Sequence, residues 1–156
     1  MDQHMPDLPL IDRLKIAAEF LVPIAKQMEQ DLGREQAQVI LRRGVSNQVR
    51  AMARDAVESA QGNGGRALIS LNSGVRQGVD IVTEVRPTDQ GFDMDVTACA
   101  YARFFQELGE PELGFLLVCS ADFDMVEEMG DVELDRSQTI MQGADHCDFR
   151  YRFLSQ

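Results

Sequence analysis

The apolar residues of this chain change their spacing once, at QGNGGR (61–66), and that change limits the folds open to it. Before it, Leu10, Leu14, Ala17, Ala18, Leu21 and Ile24 recur at intervals of three and four, the signature of a helix with one buried face. Pro23 falls inside this run and predicts a kink, and Gly33 predicts a break. Ala37, Ile40, Leu41, Val45, Val49, Met52, Ala56 and Val57 then keep helical period across a second helix, from about Arg34 to Ala60, with Gly44 a weak point at its middle. QGNGGR itself lacks the spacing of a phosphate-binding loop and reads as a linker.

Beyond the linker the period shortens to two. VDIVTEVRP (79–87) is β-branched and leads into a turn at TDQG (88–91). In GFDMDVTAC (91–99), Phe92, Met94, Val96 and Ala98 alternate with Asp93, Asp95, Thr97 and Cys99. Helices are predicted from Tyr101 to Leu108 and from Pro111 to about Met129, where Gly130 stops the second. DVELDRSQTI (131–140) and CDFRYRFL (147–154) complete the pattern as strands joined by a turn near Gly143. The order ααββααββ predicts an α+β fold: N-terminal helices, then a roughly four-stranded antiparallel sheet (ββααββ) with helices packed on one face. Residues 1–8 read as a polar tail and 9–156 as a single domain, a length that supports a core without staples. The groove between helices and sheet is the natural place for a small ligand.

Charge narrows the partners. A net charge of -11 repels phosphate backbones and anionic lipid, which argues against nucleic acid and membrane surfaces. No apolar run approaches the roughly 20 residues of a membrane span, and the acidic, proline-containing start does not resemble a signal peptide. Three cysteines without paired spacing read as free thiols, so a cytoplasmic location is expected. A small molecule is the expected partner, and a homo-oligomer stays open.

The candidate site residues gather around those thiols. In LGFLLVCSADFDMVEE (113–128), Leu116, Cys119, Phe123 and Val126 share a helical stripe, with Asp122 three residues from Cys119 and close to its face. Burial there would raise the Asp122 pKa and suit it to proton transfer near neutrality. In the last strand, alternation puts Cys147, Phe149, Tyr151 and Phe153 on the face towards the helices, and Asp148, Arg150 and Arg152 on the other. His146 precedes this strand in a turn, and Cys99 ends an earlier one. The thiol spacings contain no Cys-x-x-Cys, so a structural zinc site is not expected and no cofactor is predicted. A soft metal held by the three cysteines stays open.

Four ordered elements carry a family resemblance. They are Cys99 with the aromatic run Tyr101 to Gly109; Cys119-Ser-Ala-Asp122; Arg136-Ser-Gln-Thr139; and Gly143-Ala-Asp-His-Cys147-Asp-Phe-Arg150. Together they resemble the L-2-amino-thiazoline-4-carboxylic acid hydrolase-like proteins over most of the chain. The resemblance implies hydrolytic opening of a small cyclic amidine or isothiourea to an N-carbamoyl product. Cys119, Asp122 and Cys147 would be catalytic, and Cys99, Arg136, His146 and Arg150 would bind substrate, with Arg136 or Arg150 receiving its carboxylate. Either a cysteine thiolate attacks the ring carbon or Asp122 activates water directly; the residues leave both routes open. The competing reading is a small-molecule binding or sensor domain that uses the same pocket without turnover.

Overall fold

The computed structural model describes residues 8–154. Helix α1 (Leu10–Leu32) and helix α2 (Arg34–Ser59) meet at Gly33, whose φ of 82° is a conformation that favours glycine. The two helices pack on each other, and their buried positions are Ile11, Ala18 and Ala25 on α1 with Ala37 and Ala53 on α2. Small side chains at most of these points let the backbones approach closely. Helix α1 runs without interruption through Pro23, where the sequence predicts a kink, and α2 runs likewise through Gly44.

QGNGGR is more than a linker. Asn63 Oδ1 accepts a hydrogen bond from Arg66 N at 2.8 Å and starts a third helix, α3 (Gly64–Asn72). Asp131 Oδ2 accepts from Gly64 N at 3.1 Å and fastens the start of α3 to the second half of the chain. A side chain at 64 would displace this carboxylate, because a Cβ there would lie 1.8 Å from Asp131 Oδ1.

Strands β1 (Ile81–Thr88), β2 (Gly91–Cys99), β3 (Val132–Asp135) and β4 (Cys147–Phe153) form one antiparallel sheet in the order β1-β2-β4-β3. The register sets Val96 opposite Cys147, Met94 opposite Phe149 and Phe92 opposite Tyr151 on the inner face. Asp95 opposite Asp148 and Asp93 opposite Arg150 form the outer face. Against the inner face pack Ala67 and Leu68 of α3, together with Val126 and Met129. The architecture is the α+β arrangement that the sequence predicts.

Two predicted elements are shorter than expected. The helix predicted for 111–129 is broken into α5 (Pro111–Gly114), a π-helical turn (Phe115–Cys119) and α6 (Ala121–Met129). The wider turn shifts the phase of α6, so the expected stripe divides: Val126 is buried, while Phe123 is 39% exposed. The strand predicted for 131–140 stops pairing at Asp135. Past that point the Asp148 carboxylate accepts from Ser137 N, Ser137 Oγ and Gln138 N at 2.6–3.0 Å, supplying partners that a strand neighbour would otherwise provide. The chain then closes through a 3₁₀ turn (Ile140–Gln142) capped by Thr139.

Candidate active site

The π-helical turn, the start of α6 and the segment after β3 meet around Arg136. Its Nη1 donates to Asp122 Oδ2 at 2.5 Å and its Nη2 to the Cys119 carbonyl at 3.0 Å. Three rings surround the guanidinium, with centroids at 5.9 Å (Phe115), 4.9 Å (Phe123) and 5.1 Å (Phe149). The Arg136 side chain is only 2% exposed, whereas that of Asp122 is 29% exposed. The cation is thus enclosed behind the carboxylate, and the carboxylate is the member of the pair that reaches solvent.

Loss of hydration pushes the Asp122 carboxyl up to about 6, with the charge and hydrogen bond of Arg136 pulling the other way. At neutral pH this group is mostly ionised yet far more basic than an ordinary aspartate, the range suited to a general base.

All three thiols are raised above the usual cysteine range, chiefly by burial. Cys119 is raised most, and the Asp122 charge adds to the effect. Cys99 and Cys119 both pack against the cluster of Ala102, Phe105 and Met141, and Cys147 is bonded to Ile140, which packs against the same cluster. Cys147 Sγ accepts from Ile140 N at 3.3 Å and Cys99 Sγ from Ala102 N at 3.4 Å, where Cys99 caps helix α4 (Ala100–Glu107). These bonds favour the thiolate but do not outweigh desolvation.

The remaining predicted residues lie elsewhere. Arg150 is on the outer face of the sheet, its Nη1 bonded to Asp95 Oδ1 at 2.7 Å and its Nε 3.8 Å from Asp93. His146 is bonded to Asp145 and Gln138, and no hydrogen bond joins it to a thiol. Asp148 belongs to the Ser137–Gln138 loop, on the side of the strand opposite Cys147, as alternation requires. Sequence reading missed Phe115 altogether, and it placed Phe123 on the Cys119 stripe without its contact to Arg136. Their spacing of eight gave a signal only in retrospect, because the π-helical turn between them is invisible to a 3.6-residue period.

A cleft of about 600 Å³ borders this region, lined by Phe115, Ser120, Met141, Gln142 and Arg42 among others. A cavity of about 310 Å³ is lined by Cys99, Ala100, Arg103 and Gln106. Gln106 is common to both. Among the described residues no group of three His, Cys, Asp or Glu side chains is placed to hold a metal ion, and no helix is long and apolar enough to cross a membrane.

Fold and site together define a helix-over-sheet domain with an acid–guanidinium pair, two partly buried thiols and one buried thiol. The chain belongs to the L-2-amino-thiazoline-4-carboxylic acid hydrolase family, whose description matches residues 13–151 and so takes in every element of the site. No curated protein matches the chain.

Proposed function

We propose that the protein is a hydrolase that opens a small cyclic amidine or isothiourea resembling 2-amino-thiazoline-4-carboxylate, with Asp122 as general base on water. The single observation that carries this reading is the Asp122–Arg136 pair: a partly exposed, unusually basic carboxylate held by an enclosed cation. Family membership supports the choice of substrate class.

In the proposed reaction Asp122 takes a proton from water as its oxygen bonds to the ring carbon between sulfur and nitrogen. The ring nitrogen takes up the proton of the added hydroxyl as the carbonyl forms, and the tetrahedral centre collapses with cleavage of the carbon–sulfur bond. The proton held by Asp122 passes to the departing ring sulfur, leaving a free thiol and an N-carbamoyl group. Arg136 is a positioning residue in this scheme: it fixes the carboxylate and keeps it ionised. Arg150, committed to Asp95, is left out of the reading.

The direct route is preferred over a cysteine nucleophile because loss of hydration raises all three thiols, which favours their protonated form, and His146, the histidine among the described residues, is bonded to Asp145 and Gln138. Cys99, Cys119 and Cys147 then shape the wall of the site.

The test is thiol release from 2-amino-thiazoline-4-carboxylate, followed with a thiol reagent and by mass spectrometry of the product. Asp122→Asn should lower kcat at least about 100-fold, while Cys119→Ser and Cys147→Ser stay within about tenfold of wild type. A cysteine variant as dead as Asp122→Asn, or a covalent adduct trapped on either thiol, would overturn the direct route. Stoichiometric binding with no ring opening by the wild-type protein would replace the hydrolase by a binding domain.

A further inference from the structure

Helix α1 turns its second face to solvent with large apolar side chains on it. The buried stripe of this helix is Ile11, Ala18 and Ala25. At roughly 100° per residue, Arg13, Phe20, Ile24 and Asp31 fall within roughly 40° of one another on the opposite side. Phe20 is 69% exposed, Ile24 54% and the adjoining Ile16 51%. Single exposed apolar residues are ordinary, but three at successive turns of one helix form a continuous ridge.

The order of residues along the ridge identifies what fits it. Reversed end for end about Val22, the helix superposes Arg13 on Asp31, Phe20 on Ile24 and Ile16 on Met28. A two-fold axis crossing the exposed ridge at the level of Val22 would therefore bring apolar side chains together at the centre and opposite charges together at both ends, each contact occurring twice. The end groups are suited to this. Asp31 is oriented by a 2.9 Å hydrogen bond from Gln27 Nε2, and among the described residues Arg13 donates its Nε to the Leu8 carbonyl at 3.0 Å. The seam carries one cation and one anion per copy, although the whole chain has a net charge of -11 that disfavours nucleic acid and anionic lipid.

We propose that this face of α1 is a homodimer interface, occupied by α1 of a second copy of the same chain lying antiparallel across it. The interface is independent of the proposed reaction.

Sedimentation velocity on the full chain, from about 5 to 500 µM at 0.15 M salt, tests it. Wild type should shift from monomer towards dimer across this range, and Phe20→Glu should remain monomeric throughout. Because Phe20 is exposed, that variant keeps its fold, which a circular dichroism melt verifies. Arg13→Glu and Asp31→Arg should each weaken association about tenfold, since each places two like-charge contacts in the dimer. The double variant Arg13→Glu/Asp31→Arg should restore wild-type association. A wild-type chain that stays monomeric at 500 µM, a dimer indifferent to Phe20→Glu, or a double swap that fails to restore association would each overturn the proposal.

Discussion

Replacing Arg136 by methionine removes the cation from behind Asp122 while filling most of its volume. Two charge-assisted hydrogen bonds are lost, to Asp122 and to the Cys119 carbonyl, along with the contacts to three rings. Breaking one side of a buried ion pair costs about 3–5 kcal/mol. The lower end applies here, because the Asp122 side chain keeps 29% of its exposure and water can solvate part of the orphaned charge. A cost of about 3 kcal/mol corresponds to a fall in Tm of about 6–12 °C for a chain of this size. The pH dependence gives a sharper signature. Arg136 is what holds the Asp122 pKa down against burial, so its loss raises that pKa above about 6. A carboxyl whose pKa is higher in the folded than in the unfolded state binds the extra proton in the folded state, and stability falls as pH rises through that window. The deficit of Arg136→Met should therefore grow from pH 5 to pH 8. In the ring-opening assay, wild type should gain rate with pH along a limb centred near 6, and the variant's limb should move up by about one unit or more. Arg136→Lys keeps the charge without the planar fork and should fall between the two. Thermal melts from pH 5 to 8 and pH–rate profiles of the three proteins are the measurements. A variant within about 1 °C of wild type at every pH, or one whose limb does not move, would refute the role assigned to this pair.

Two further outcomes are expected. Gly114→Ala should cost about 1–3 kcal/mol in denaturant unfolding, because its Cβ would lie 2.5 Å from Phe105 Cγ and 2.7 Å from Met141 Sδ. Both neighbours are fully buried, and the Phe105 ring has to shift to admit the methyl group. Asp80 is 2% exposed, and the Arg76 hydrogen bonds hold its carboxyl below the usual range. The stability it contributes is present above about pH 4 and lost as pH falls through the lowered folded value, so Asp80→Asn should flatten the acid limb of Tm between pH 2 and 5. An acid limb as steep as wild type's would show that other carboxylates set it.

Much of the architecture follows from residue order alone. The spacing of three and four up to Ala60 and the alternation in GFDMDVTAC are enough for two helices and a sheet strand, because burial selects one face of each element and that selection is written locally. The same alternation separates Cys147 from Asp148 and Arg150, and the structure keeps them on opposite faces. Cys-x-x-Asp and Cys-Asp-Phe-Arg were legible as family elements, and the family description covers them. Asn63 was a readable cap, hidden by the glycines around it.

Only the tertiary structure decided how those elements meet. Arg136 pairs with Asp122, 14 residues away, and Arg150 pairs with Asp95, 55 residues away. Side-chain type made both arginines equal candidates, and strand register together with the early end of β3 made them different. The π-helical turn at Phe115–Cys119 likewise has no local signal, since one wider turn costs little and is stabilised by contacts from α2 and the 3₁₀ turn. Periodicity reports which face of an element is buried. It carries no information about which distant partner buries it, and the basicity of Asp122 depends on that partner.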